Sequence, residues 1–203
     1  MVGYVKAATI AHDPSRRHRR SIRLKRFDYS RAGAYFVTIS VRKRQCLFGK
    51  IQEGEIVLNA FGEVVREEWL KTAILRPAVT LDTFVVMPNH FHGIIAITTS
   101  GEAAVGRGTA RRAPTTERYG RPVSGSIPTI VRSFKSAVTR RINEMRKTPG
   151  AHVWQRNYYE HVLRNDDELD RARQYISNNP MQWELDRENP ATTTLERREP
   201  WQI

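Results

Sequence analysis

Residues 79 to 98, VTLDTFVVMPNHFHGIIAIT, decide how this chain is to be read. Two runs of β-branched and aromatic residues, Val79 to Met87 and His90 to Thr98, are joined at Pro88-Asn89, a pair suited to a tight turn. The pattern predicts two strands at the centre of a sheet. Successive side chains of a strand alternate between faces, so His90 and His92 project to one side and Phe91 to the other. Two imidazoles on one face of a strand, backed by Val85, Val86 and Ile94 to Ile97, converge on a single cation. The same spacing also suits two hydrogen-bonded or solvent-facing histidines, and the pattern alone does not choose.

Working outward, Tyr35 to Val41 has strand chemistry and Cys46 to Asn59 reads as a hairpin turning near Glu53-Gly54, together forming the edge of the sheet. Asn59 can cap a helix running to about Ala73, with Val64, Val65, Trp69 and Leu70 as its apolar stripe and Pro77 beyond its end. Positions 99 to 126, rich in Gly, Arg, Thr and Pro, predict a flexible basic insertion. Ile127 to Met145 is a helix by periodicity, with Ile130, Phe134, Ala137, Val138, Ile142 and Met145 on one face. Arg132, Lys135, Arg140 and Arg141 occupy its other faces, available to phosphates or to solvent. Val153 to Leu163 has strand character, although its second half also suits a short helical turn. Asn165 or Asp166 then caps a helix carrying Leu169, Ala172 and Ile176 and stopped by Pro180. Tyr175 and Asn179, four apart, share one face of that helix. In isolation such a tyrosine is as readily a packing residue, and such an asparagine a helix stop.

Lys and Arg outnumber Asp and Glu by 34 to 21 among 203 residues, a net charge of +13 with a pI near 10.4. The balance suits a polyanionic partner. It is concentrated in residues 12 to 26, HDPSRRHRRSIRLKR, where Arg16, Arg17, Arg19 and Arg20 are candidate phosphate contacts on a loose arm. Residues 1 to 28 form this arm, 29 to 183 one domain, and 184 to 203 a polar, irregular tail. Cys46 is the single cysteine, which excludes a disulfide framework and a cysteine-based zinc site and points to a reducing, cytoplasmic setting. No apolar run approaches the roughly 20 residues that cross a bilayer.

Two motifs together carry a resemblance. Phe84-Val-Val-Met-Pro-Asn-His-Phe-His-Gly93 resembles the His-hydrophobic-His strand of the HUH single-tyrosine transposases. Trp154-Gln-Arg-Asn-Tyr-Tyr-Glu-His161, followed by Tyr175-Ile-Ser-Asn-Asn-Pro180, resembles the REP-associated tyrosine transposases, in which the tyrosine of such a stretch is the nucleophile. The likeness covers about Tyr29 to Trp183. It implies an α+β fold with a ferredoxin-like HUH core, an antiparallel sheet of four or five strands with helices packed on one face. It also implies that His90, His92 and Asn179 hold Mg²⁺ or Mn²⁺, with Asn179 standing where relatives often have Gln. Tyr175 becomes the attacking group, forming a 5′-phosphotyrosine on single-stranded DNA beside hairpin-forming palindromic repeats. Glu160, His161 and Arg164 are implied as supporting residues, and Arg132, Lys135 and Arg156 are candidate DNA contacts. Relatives occur as monomers and as homodimers.

Two other classes compete. A non-catalytic DNA-hairpin-binding regulator would keep the fold and lose the chemistry, whereas this chain retains both histidines, Tyr175 and Asn179. A basic RNA-binding protein with core histidines would show no cation dependence. Relaxases usually place the tyrosine before the histidine motif, and here Tyr175 follows it.

Overall fold

Between Tyr35 and Ile39 every side chain is buried, 6% exposed at most, on both sides of the strand. A strand covered on both faces needs neighbours on both edges and layers above and below. In the computed structural model, which describes residues 27 to 98 and 123 to 192, that is where it lies. The elements in chain order are β1 (Gly33–Ser40), β2 (Gly49–Gln52), β3 (Glu55–Leu58), α1 (Ala60–Ile74), β4 (Val79–Val86), β5 (His90–Ile97), α2 (Ile127–Met145), β6 (Tyr159–Leu163) and α3 (Asp166–Asn178). The main sheet has the order β4-β5-β1-β6 and is antiparallel throughout, while β2 and β3 form a separate hairpin. The α+β fold with a four-stranded antiparallel sheet thus matches the expectation.

Four details differ from it. β1, expected at the edge, is central, because β6 returns late in the chain to pair with its free side. β4, expected at the centre, is an edge strand. Its polar Asp82 and Thr83 sit at a register shift between Leu81 and Phe84, a common way of closing a sheet edge to further pairing. The helices cover both faces, not one. Tyr35, Val37, Ile39, Phe91 and Ile95 pack with Trp69 of α1 and with Ile130, Phe134, Val138 and Ile142 of α2. Phe36, Ile94 and Leu163, on the opposite face, pack with Ala172 and Ile176 of α3. The cause is alternation in strands that are apolar at odd and even positions alike. β6 also reverses the expected order: its second half, Tyr159–Leu163, is the strand, and before it only Trp154 makes an isolated bridge, to Val41.

Local chemistry sets the helix starts. Asn59 Oδ1 accepts from the backbone N–H groups of Phe61 and Gly62, and Asn165 Oδ1 from that of Glu168, caps worth about 1 kcal/mol each. Arg173 on α3 donates to both carboxylate oxygens of Asp82 on β4, at 3.0 and 2.6 Å, which fixes the rotation of α3 over the sheet. The guanidinium holds the Asp82 carboxyl down at about 2.

Gly93 explains the last letter of the His-Phe-His-Gly motif. A Cβ there would stand 2.6 Å from Cζ2 of the fully buried Trp69 and 2.9 Å from the Phe91 ring. Gly93→Ala is therefore expected to destabilise the fold by about 1–3 kcal/mol through overpacking. Chemical denaturation reads this directly, and an unchanged midpoint would show that α1 has room to move off the sheet.

Candidate active site

His90 and His92 stand on the α3 side of β5, 0% and 2% exposed. Burial pushes both rings below the ordinary imidazole value of 6.5. Asp186 and Glu188 pull His90 part of the way back, and His90 itself pushes His92 further down. At neutral pH each ring is therefore uncharged, with one proton and one lone pair.

For His90 the neighbours determine which nitrogen keeps the proton. Asn89 Nδ2 donates to the carbonyls of Arg44 and Glu188, at 3.1 and 2.6 Å, so Asn89 Oδ1 is the atom that faces His90 Nδ1 at 2.9 Å. An amide oxygen only accepts, which places the His90 proton on Nδ1. The remaining atom, Nε2, is buried and has no hydrogen-bond partner among the described residues. His92 Nδ1 lies 2.8 Å from Thr38 Oγ1. With Nδ1–H donating to that hydroxyl, His92 Nε2 faces the same space as His90 Nε2 and lies 3.3 Å from the Tyr175 hydroxyl. Outer hydrogen bonds that set the tautomer of a histidine in this way are typical of metal-binding imidazoles.

Asp186 completes the arrangement. Its Oδ2 lies 3.6 Å from His90 Nε2 and accepts from Asn179 Nδ2 at 3.2 Å, which leaves Asn179 Oδ1 buried and, among the described residues, without a partner. A lone pair facing a carboxylate with no proton between them is repulsive in a dry site unless a cation joins them. The ligand atoms of His90, His92 and Asp186 all lie within 4.8 Å of one another. Two imidazole nitrogens and a carboxylate, with an amide oxygen beside them, form a group that could hold a metal ion.

Tyr175 reaches this cluster from α3. Its ring lies edge-on to His92 and Phe36, with centroids 5.1 and 6.0 Å away. Burial and the Asp186 carboxylate push the phenol above its ordinary value of 10, and Arg187 acts in the opposite direction. Asn179 follows one turn later. The resemblance thus named four residues that the fold brings together, Tyr175, Asn179, His90 and His92.

Asp186 was not among them. It lies in the segment read as an irregular tail, which in fact folds back over the histidines. There Trp183 stacks on His90 at 6.1 Å, and Arg44 pairs with Glu188 at 3.4 Å. No periodicity or motif marks a ligand in such a segment. An acid shortly after a tryptophan in the tail was the only available signal.

The remaining candidates lie elsewhere. Glu160 pairs in register with Val37 and points to the α1–α2 side of the sheet, away from the histidines. His161 Nε2 lies 3.3 Å from Glu168, which also accepts the Arg164 N–H, so these two residues secure the start of α3. Arg132 and Arg156 are exposed, Arg132 on α2 and Arg156 in the loop leading to β6. Lys135, on α2, donates to the carbonyls of Gln155, Arg156 and Asn157 at 2.7, 3.2 and 3.5 Å, and burial lowers its ammonium to about 8. Arg16, Arg17, Arg19 and Arg20 and the insertion at 99 to 126 lie outside the described residues, apart from 123 to 126.

The lowered histidines imply a pH dependence. Below 6.5 the unfolded chain takes up protons that the folded site resists, so stability is full above 6.5 and falls as the pH drops towards the folded values. Denaturant midpoints of chelator-treated protein are expected to decline from pH 7 to 5. A double variant, His90→Gln with His92→Gln, should flatten that profile, and an equal decline in both proteins would assign the effect to other groups.

No protein-family model matches the chain. An uncharacterized protein of Haemophilus influenzae is 41% identical to it over 172 residues, covering 83% of this chain and 92% of that one. Among solved structures, a REP-associated tyrosine transposase bound to a REP hairpin superposes with a TM-score of 0.53 at 19% identity, covering 79% of this chain and 73% of that chain. A candidate transposase of Deinococcus radiodurans superposes with a TM-score of 0.39 at 16% identity over 77% of this chain and 97% of that chain, too loosely to bear weight. Among the described residues no helix is long and apolar enough to cross a membrane. The chain belongs to the same family as the Haemophilus influenzae protein, and its fold is that of the REP-associated tyrosine transposases.

Proposed function

We propose that this protein is a metal-dependent, single-tyrosine DNA strand transferase that cuts and rejoins single-stranded DNA beside repeat hairpins. One observation carries the reading: the unpartnered His90 Nε2, the Asp186 carboxylate and the Asn179 amide oxygen surround a space that His92 Nε2 and the Tyr175 hydroxyl also face. Four buried acceptors beside a tyrosine form a poor structural core and a good cation cradle.

A divalent cation bound there would polarise the scissile phosphate and offset its charge. The protein's own groups supply the rest. Asn89 keeps the His90 Nε2 lone pair turned inward, and Thr38 Oγ1 holds the His92 ring through Nδ1. Asp186 brings a negative charge that favours Mg²⁺ or Mn²⁺ over a neutral ligand set. Burial holds the Tyr175 phenol protonated in the free protein, so ionisation is linked to the arrival of positive charge at the site, with Arg187 adding to it. The phenolate oxygen then attacks phosphorus while the bond from phosphorus to the 3′-oxygen breaks. The products are a 5′-phosphotyrosine and a strand whose 3′-oxygen takes up a proton. The phosphoester bond is conserved, so a 3′-hydroxyl can reverse the step on a new strand without ATP. The net charge of +13 supplies the attraction for DNA.

The test is to incubate the protein with end-labelled hairpin DNA carrying single-stranded flanks and Mn²⁺, and to look for a denaturation-resistant protein–DNA adduct. The expected result is an adduct that chelator abolishes. Tight hairpin binding with no adduct under any divalent cation would instead favour a hairpin-binding regulator.

A further inference from the structure

Beside the candidate active site two arginines meet a single carboxylate. Glu188, in the segment that folds back over the histidines, has Oε2 3.4 Å from Arg44 Nε and Oε1 4.0 Å from Arg187 Nε. Both contacts are loose against the roughly 2.7–2.9 Å of a charge-assisted hydrogen bond, and the buried Oε2 accepts no hydrogen bond among the described residues. The guanidiniums stay open to solvent, their side chains 49% and 40% exposed against 14% for Glu188. One negative charge thus stands between two positive ones without closing properly on either.

The surrounding backbone fixes where these groups stand. Lys43 and Arg44 both take left-handed backbone, φ 59° and 55°, in the connection between β1 and β2. Strain of this kind in residues other than glycine persists only where the surroundings impose it, and it gathers at ligand clamps. Here Asn89 imposes it: Nδ2 donates to the carbonyls of Arg44 and Glu188, and Oδ1 accepts from His90 Nδ1. One amide therefore sets the backbone of Arg44 and of Glu188 against the same histidine. Arg187 follows Asp186 directly in the chain. Its charge is close enough to push down both histidine rings and to oppose the rise of the Tyr175 phenol.

We propose that Arg44 and Arg187 form a seat for one backbone phosphate of the single-stranded DNA, flanking the scissile one, and that Glu188 stands in for this phosphate while no strand is bound. Charge and shape specify the occupant. A phosphodiester spreads one negative charge over two non-bridging oxygens, as a carboxylate does, and so offers one oxygen to each guanidinium. Glu188 is tethered through its carbonyl to Asn89 and cannot close on both arginines. A strand carries no such tether and can settle into bonds of ordinary length. The exchange leaves the charge of the seat unchanged, because one anion enters as Glu188 swings out to solvent. Arg44 and Arg187 then position the strand for Tyr175 without touching the reacting atoms. The proposal rests on the strand-transfer reading for the choice of DNA as the phosphodiester.

The sign of one substitution separates this role from that of a simple anchor for the C-terminal segment. Affinity is measured for a labelled oligothymidine, which forms no hairpin, over a series of salt concentrations and with chelator present so that no strand is cut. Glu188→Gln keeps the backbone carbonyl that Asn89 holds, and it is expected to bind the strand about fivefold more tightly. Glu184→Gln, an equal change of charge at an exposed position of the same segment, should alter affinity by less than about twofold. The double variant Arg44→Gln with Arg187→Gln is expected to bind about tenfold more weakly, with a slope of log affinity against log salt lower by about 0.7 for the lost phosphate. In that background Glu188→Gln should bring no gain. Weaker binding by Glu188→Gln, an equal gain from Glu184→Gln, or a gain that survives the loss of both arginines would overturn the proposal. So would a gain seen with oligouridine and not with oligothymidine. Circular dichroism melts show that each variant is folded. Adduct formation with Mn²⁺ on hairpin DNA is measured alongside. Its absence in the wild type would sink the strand-transfer reading and leave the binding result standing, whereas an adduct in the wild type with no tighter binding by Glu188→Gln would do the reverse.

Discussion

Tyr175→Phe is expected to bind hairpin DNA within about twofold of the wild type and to form covalent adduct at a rate lower by about 10³-fold or more, as removal of a nucleophile does elsewhere. The substitution is a clean one here. The ring of residue 175 packs edge-on to Phe36 and His92, and a phenyl ring fills the same volume, so the loss is confined to a hydroxyl 3.3 Å from His92 Nε2. The fold should therefore melt close to the wild-type temperature while the chemistry stops. If Tyr175→Phe still forms the adduct, the nucleophile is elsewhere. Of Tyr158 and Tyr159, the structure favours Tyr159, which pairs in register with Thr38 and so lies on the histidine side of the sheet.

Asp186→Asn is expected to weaken Mn²⁺ binding by at least about tenfold, or 1.4 kcal/mol, and His90→Ala by no less. A titration followed by the Mn²⁺ resonance signal or by calorimetry measures both without any DNA present. The amide keeps the shape of Asp186 and removes the charge that faces the His90 lone pair at 3.6 Å, together with one of the two bonds that the carboxylate oxygens accept from Asn179 Nδ2 and the Glu188 N–H. The wild type should also gain stability with the cation, by about 2.7 kcal/mol at a hundred times its dissociation constant, and Asp186→Asn should lose much of that gain. An unchanged Mn²⁺ affinity together with a lowered melting temperature would make Asp186 a latch for the C-terminal segment and not a ligand.

The prominence of Asp186 marks the boundary between what local sequence can and cannot specify. His90 and His92 were legible because strand periodicity is two, so an alternating pair must share a face whatever else the chain does. Tyr175 and Asn179 were legible because helical periodicity places residues four apart on one side. The caps at Asn59 and Asn165, the turn at Pro88-Asn89 and the extent of α2 follow from equally local rules. That the strand and the helix meet each other is a different kind of fact, and at the sequence level it rested on the family likeness alone.

Strand order was misread for the same reason. Val79 to Met87 is as apolar as its partner, yet it is the edge strand, because β6, more than sixty residues later, takes the other side of the β1–β5 pair. The helix layers were also misassigned. Runs such as Phe36-Val-Thr-Ile are apolar on both faces and show that both are covered, but not by which helix. The placement of Glu160 followed from register: its pairing with Val37 turns it to the far face, and a shift by a single residue would have sent it to the histidines.

By itself, then, the sequence determined which elements form, which side chains share a face within each element, and that the chain carries a charge suited to DNA. Those properties depend on neighbours within a turn or a strand. Only the tertiary structure decided that α3 lies over β5 so that Tyr175 meets His92, that Asn89 sets the His90 tautomer and Thr38 holds the His92 ring, and that Asp186 closes the site from an unpatterned segment. Each of these is a contact between residues far apart in the chain, fixed by packing two faces of one sheet at once, and no local pattern encodes such contacts.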